Sequence, residues 1–239
     1  MFDKSGIVAM VPARRGSTRL KQKNLALLNG KPLITYAIEA AKQSGAFERV
    51  VLNSEDKIFE RIAQRYGIEF YKRPISLATS TAKSDGVVYD FMEHNPSAIV
   101  AWVNPIAPLQ TATEIKEVVD YFIKEDLDSL ITIKNEQVHC VYQNKPLNFN
   151  QDEIFAQTQD LNPVGFFVYS MMMWRTKTFK EFYRKRGYAV LCGKVGYYPV
   201  NRLSSFIIKR EEDLKIAEYL LAGMEVRKNY VLTYEGENV

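Results

Sequence analysis

The sequence predicts an α/β domain built on a mostly parallel sheet with helices on both faces. Three observations support this. Short β-branched apolar runs recur along the chain, each is followed by a stretch with helical spacing, and 239 residues suffice for one large domain of this kind. The first run, GIVAMV at residues 6–11, reads as a buried strand and stops at Pro12. After a cationic loop, Pro32 opens a helix in which Leu33, Tyr36, Ala37, Ala40 and Ala41 share one face. Residues 50–52 give a second strand, and Ile58, Ile62 and Tyr66 give the next helix its apolar stripe. Residues 68–71 form a short strand and residues 84–94 a helix. The run AIVAWV at 98–103 is a further buried strand, ending at Asn104-Pro105. Residues 113–124 are amphipathic with Ile115, Val118, Val119 and Phe122 inward, and 130–133 is a strand.

The alternation then pauses. Residues 134–163 are polar and aperiodic, which predicts a long excursion with a hairpin, or an arm that completes a site or a dimer contact. Strand character returns at 166–169, and Met171-Met172-Met173-Trp174 beyond it reads as core. Lys180 to Arg186 is a solvated helix end, Tyr197-Tyr198-Pro199 an edge strand, and 211–221 a final helix. No repeat or linker divides the chain, so residues 1–239 read as one domain with 134–163 as its arm.

Composition narrows the function classes. Hydrophobic residues are 46% and charged residues 25%, which excludes disordered, collagenous and disulfide-framework chains. Cys140 and Cys192 form no C-x-x-C pair, and the two histidines, His94 and His139, stand apart, so a zinc site is not expected. His139 beside Cys140 could suggest a nucleophile pair, but neighbours on a strand point to opposite faces. The first residues carry no signal-peptide pattern and no apolar run nears the ~18 residues of a membrane span, which makes the cytoplasm the expectation. Net charge is +4, and outside one segment the basic residues alternate with acids.

That segment holds the chemistry. In VPARRGSTRLKQKN, residues 11–24, five cations (Arg14, Arg15, Arg19, Lys21 and Lys23) occur within ten residues around Gly16 and Ser17. In a parallel sheet, ligands bind beyond the carboxyl ends of strands, where the loops after Val11, Leu52, Tyr71 and Val103 would lie. A glycine turn lets backbone N–H groups approach an anion, while arginines offer forked donors and lysines point charges. The loop therefore suits a polyphosphate, although neither G-x-x-x-x-G-K-[ST] nor G-x-G-x-x-G is present. A solvated basic loop or a nucleic-acid patch would use the same charges, the latter usually with further basic stripes and exposed aromatics. Asp56 and Asp85 lie where they could approach such a ligand, but acids at helix starts ordinarily act as caps.

P-A-R-R-G-S-T-R-L-K-Q-K-N followed by L-N-G-K-P-L-I resembles the signature of the sugar-acid cytidylyltransferases, the CMP-sialic acid synthetases and their legionaminic, pseudaminic and ketodeoxyoctonic acid relatives. Arg73-Pro74 with Leu77-Ala78 and Thr81-Ala82 is similar to the family's R-P-x-x-L-A-x-D-x-A. Asn104-Pro105 through Pro108-Leu109 is similar to Q-P-T-S-P-L-R, and Thr158-Gln159-Asp160-Leu161 to R-Q-D-L-P. Glu212-Asp213 with Ala217-Glu218 resembles the last helix, so the likeness runs over nearly the whole chain.

The resemblance implies a Rossmann-like nucleotidyltransferase fold, CTP and an acidic 2-keto sugar as substrates, Mg²⁺ as cofactor, and a homodimer contacted through the arm. It implies no nucleic-acid or membrane partner. Carried over by position, Arg14 and Lys23 grip the triphosphate as the catalytic pair, within a nucleotide loop of Ala13, Gly16, Ser17 and Asn24. Arg73, Ala82 and Ser84 would line the cytosine and ribose pocket, and Asn104 and Gln159 would face the sugar. The departures concentrate on the metal and sugar half. The family's D-x-D magnesium pair falls on Ile207 and Lys209, so no protein ligand for Mg²⁺ is identifiable. Asn104 replaces a glutamine, Ala107 a serine, Gln110 an arginine and Ser80 an aspartate. Gln157-Thr158 stand where the arginine before Q-D-L-P is expected, and no Asn-Gly precedes Val164-Gly165. A nucleotide- or sugar-binding homologue without turnover is the alternative to a transferase.

Overall fold

The computed structural model describes residues 6–17, 19–226 and 231. Thr18 of the basic loop and the residues at 1–5, read above for a signal pattern, lie outside that set. The strands are β1 (Ile7–Pro12), β2 (Leu27–Leu28), β3 (Lys31–Pro32), β4 (Arg49–Ser54), β5 (Glu69–Lys72) and β6 (Ile99–Val103). They continue with β7 (Ser129–Glu136), β8 (Val141–Tyr142), β9 (Lys145–Pro146), β10 (Val164–Arg175) and β11 (Val195–Pro199). The helices are α1 (Leu33–Ser44), α2 (Lys57–Tyr66), α3 (Ser84–His94), α4 (Ala112–Lys124), α5 (Thr176–Arg186) and α6 (Glu211–Val226).

Seven strands form one sheet in the order β11-β7-β10-β6-β1-β4-β5. All pairings are parallel except those of β10, which runs antiparallel to both neighbours. Burial on both faces explains why β1 reads as a continuous apolar run, with every residue from Ile7 to Pro12 buried. Alternate side chains serve opposite layers. Ile7, Ala9, Val11, Ala101, Val103, Met171 and Met173 pack with Ile34 and Ile38 of α1 and Ile115, Val118, Val119 and Phe122 of α4. Val8, Met10, Val100, Met172 and Trp174 pack with Val88 and Phe91 of α3 and Phe179 of α5. A smaller cluster holds α6 through Ala217 against Leu28 and Leu33, with Ile208 between them.

Three expectations needed revision. The buried stripe of α2 is Phe59, Ile62 and Ala63, with Tyr66 packed beside it, whereas Ile58 is 37% exposed. The strand expected at 166–169 begins at Val164 and continues through the Met-Met-Met-Trp run, which is core as anticipated. A register shift between Phe167 and Met172, with Tyr169 at φ +57°, lets one strand serve both the arm and the sheet. The last helix extends past residue 221 to Val226.

The excursion at 134–163 does contain a hairpin, β8–β9, turned at Gln143 and Asn144, both in the left-handed region. His139 stacks on Phe155, while the Cys140 thiol meets the Val138 carbonyl, so the two side chains have different partners. Cys192 is fully buried, and burial pushes its thiol up to about 11. No helix among the described residues is long and apolar enough to cross a membrane.

Candidate functional site

Beyond the carboxyl ends of β1 and β6 the loops enclose a cavity of about 270 Å³. Its basic wall comes from the loop after β1, with Ala13, Arg14, Ser17, Arg19, Lys23 and Asn24. Opposite stand Arg73, Leu77, Thr79, Ser80, Ala82, Ser84 and Val87 from the loop after β5 and the start of α3. Trp102, Asn104, Pro105 and Ile106 form the floor, and Lys209 closes the rim. The location is the one expected for a ligand in an open parallel sheet.

The basic loop is held from beneath. Arg73 is 5% exposed, and its Nη2 donates to the Ala13 carbonyl (2.7 Å) and to Glu55 (3.3 Å). Glu55 also accepts from the Arg15 backbone N–H at 2.8 Å. The loop after β4 thus contributes a brace for the cavity. Burial lowers the Arg73 pKa, and Glu55 opposes the effect. Arg15 turns away to pair with Asp56, which caps α2 at Ile58. Asp85 is likewise occupied, accepting from the Ala189 and Val190 N–H groups. Both acids are therefore structural.

Arg14 reaches across the cavity mouth, its Nη1 donating to the Thr79 carbonyl at 2.9 Å. Lys23 sits on a 3-10 turn (Lys23–Leu25) and donates to the Ile208 carbonyl at 3.1 Å. Both partners are neutral, so neither cation is cancelled by them. Burial, with Arg19 and Arg14 nearby, pushes Lys23 down to about 8, against the opposing pull of Asp213. Three buried polar atoms among the lining residues lack a partner: Asn24 Oδ1, Arg73 Nε and Trp102 Nε1. These atoms are themselves buried, so the three residues line the cavity through their other atoms.

Most of the residues picked from the sequence meet here. Ala13, Arg14, Ser17, Lys23, Asn24, Arg73, Ala82, Ser84 and Asn104 all line the cavity. Gly16 and Gln159 are absent from its lining. A Cβ built on Gly16 would meet nothing within 4 Å, so no close approach demands glycine there. Gln159 is exposed on the 3-10 turn Thr158–Asp160 in the arm, where its side chain contacts Gln157 and its carbonyl accepts from Gln137. The Asn104 side chain is engaged at both ends, donating to the Tyr169 carbonyl and accepting from Ile106. Gln110 is buried on Ser170 and Glu114, within the core. Sequence reasoning missed Glu55 and Trp102. Glu55 lay inside an apparent helix start, and Trp102 inside an apolar strand.

The residues present do not fit a protein-held magnesium ion. No carboxylate among the described residues lines the cavity. Asp213, the nearest acid noted above, accepts from the backbone N–H groups of Lys209 and Arg210 at 2.7 and 2.8 Å. No group of three or more His, Cys, Asp or Glu among the described residues forms a metal cluster. Magnesium requires oxygen donors, and position 207 is an isoleucine.

Comparison with known proteins finds relatives of this chain. The family model described as cytidylyltransferase matches residues 8–238. The N-acylneuraminate cytidylyltransferase of Escherichia coli O18:K1:H7 is 29% identical over 221 residues, covering 88% of this chain and 49% of the relative. The chain thus spans about half the length of that curated relative. The post-translational flagellin modification protein B of Campylobacter coli is 25% identical over 235 residues, covering 91% and 95% of the two chains. Among solved structures, the CMP:2-keto-3-deoxy-manno-octonic acid synthetase complexed with CTP superposes with a TM-score of 0.69 at 14% identity, covering 92% and 99%. That likeness bears on the fold.

Proposed function

This chain belongs to the cytidylyltransferase family, and we propose that it transfers CMP from CTP to an acidic 2-keto sugar, releasing pyrophosphate. One observation carries the reading: Arg14, Arg19, Lys23 and Lys209 converge on a single cavity whose other walls present Leu77, Ala82, Val87 and Trp102. The cations suit a triphosphate, and the apolar side chains suit a base.

In the proposed reaction the anomeric hydroxyl oxygen attacks the α-phosphorus. The bond to the bridging oxygen of the β-phosphate breaks, and pyrophosphate leaves with the electron pair. The hydroxyl proton passes to solvent. Such transfers depend on alignment and on charge stabilisation rather than on a covalent intermediate. Arg14 and Lys23 provide stabilisation, while Ala13, Ser17 and Asn24 shape the loop that holds the chain of phosphates. Arg73, Ala82 and Ser84 bound the nucleoside end, and Asn104 marks the floor toward the sugar. No step is routed through magnesium, for which the described residues of the cavity offer no carboxylate.

The arm at 134–163 carries exposed Val138, Val141, Tyr142, Leu147, Ile154 and Phe155. Those side chains support a role as the contact with a second copy of the chain. Light scattering checks it: Phe155→Glu should shift a dimer toward monomer.

Pyrophosphate release from CTP across a panel of 2-keto sugar acids tests the transferase. Release with one acid identifies the acceptor. Lack of release with every acid, while CTP still binds, favours the second reading, a nucleotide-binding homologue without turnover. The observation behind that reading is Ile207 and Lys209 at the positions of the family's acid pair.

A further inference from the structure

Resting on the nucleotide reading above, we propose that Lys209 supplies to the triphosphate the charge compensation that a protein-held divalent cation would otherwise give, so that CTP binds this chain without added metal. The backbone around Lys209 is fixed. Ile208 is fully buried, its N–H donates to the Ile106 carbonyl at 2.8 Å, and its carbonyl accepts from Lys23 Nζ. The next two N–H groups, of Lys209 and Arg210, are both held by one Asp213 oxygen. Between these clamps the Lys209 side chain is exposed at the cavity rim, and its charge acts on Lys23.

The charge balance of the cavity gives the reason. A nucleoside triphosphate brings on the order of four negative charges, two of them on the terminal phosphate. Arg14, Arg19, Lys23 and Lys209 bring four positive ones, and among the described residues no Asp or Glu lines the cavity, while the charge of Asp213 acts on Lys23 from outside the lining. Burial depresses Lys23 first, and the neighbouring charges of Arg19, Arg14 and Lys209 depress it further, against the pull of Asp213. A divalent ion would find neither carboxylate ligands nor uncompensated phosphate charge. Lysine serves as a point charge that needs no coordination geometry, so it can take that place.

The test is calorimetric titration of the full chain with CTP, in excess EDTA and in millimolar magnesium. Affinity in EDTA at least as high as in magnesium is the expected result, because magnesium held on the phosphates of free CTP competes with the site. In EDTA, Lys209→Ala should weaken CTP by roughly tenfold, the scale of one charge-assisted contact, and leave cytidine binding unchanged. Lys209→Asp should abolish the metal-free binding. A melting curve shows that each variant is folded, and the backbone bonds to Asp213 do not depend on the side chain. CTP binding that requires magnesium overturns this inference and leaves the cytidylyltransferase reading intact. Metal-free binding that Lys209→Ala does not weaken overturns the role given to Lys209. Failure of CTP to bind in either condition overturns the nucleotide reading and this inference with it.

Discussion

Lys23 makes CTP binding sensitive to alkaline pH in a way that can be worked from the structure. Its pKa falls from the ordinary 10.5 to about 8, chiefly through burial and then through the charges of Arg19 and Arg14. The lowered value marks an environment unfavourable to the ammonium form. Because the free-state value is depressed, Lys23 is charged below pH ~8 and loses its proton above it. A bound triphosphate favours the charged form and raises the value again, so binding at alkaline pH must take up a proton. CTP affinity should be flat with respect to Lys23 up to about pH 7, then fall by at most tenfold per unit above about pH 8. Calorimetry in two buffers of different ionisation enthalpy reads the uptake directly, near zero at about pH 6.5 and approaching one proton at about pH 9. Lys23→Met should remove that uptake and weaken CTP by roughly 10- to 100-fold, the range for a lost charge-assisted hydrogen bond. Absence of uptake at high pH, or uptake that survives Lys23→Met, would refute the placement of Lys23 on the phosphates.

Three further outcomes follow from the same geometry. Glu55→Gln leaves the buried Arg73 guanidinium uncompensated and should cost about 3 kcal/mol, checked by urea unfolding, with weaker CTP binding as the loop loosens. Trp102→Phe removes an unsatisfied buried N–H and should leave free-protein stability unchanged or slightly higher. If the indole serves the ligand, the same variant lowers CTP affinity by about 1 kcal/mol, a combination that titration and melting together distinguish from simple damage. Gly193→Ala should destabilise by more than about 1 kcal/mol, since φ there is +60° and a Cβ would lie 2.3 Å from Asp128 Oδ2, while CTP binding of the folded fraction stays normal.

The sequence was most legible where one local signal decided the outcome. Helix α3 runs Ser84–His94 as expected, and all four inward residues expected in α4 are buried. Periodicity suffices there because each helix covers the sheet with a single face. In α2 two apolar stripes overlapped at Ile62, and packing on the sheet buried the one with Phe59 and Ala63. The length of β10 was hidden because its outer half, including Phe166 and Phe167, is exposed in the arm, whereas its inner half is core. The cavity shows the same division. Its basic wall is contiguous in sequence and could be read directly. The rest comes from distant segments whose meeting depends on the fold: Lys23 lies 185 residues from the Ile208 carbonyl that it contacts. Gln159 was placed by motif position alone, and the arm carries that turn outside the cavity lining.

The cations of the site divide into two kinds, and the division explains more than their number. Arg73 is buried against a carboxylate and a carbonyl, with its charge answered inside the protein. It costs binding nothing when the cavity is empty and shapes the loop at Ala13. Arg14 and Lys23 rest on neutral carbonyls, and these bonds can be exchanged for stronger ones to an anion. A basic loop that was merely solvated would not require a buried Arg73–Glu55 brace. Nor would it gather a lysine from the far end of the chain to the same rim. The expense of concentrating like charges beside an apolar floor is justified only if something anionic and partly apolar fills the space. A nucleoside triphosphate has both characters in one molecule.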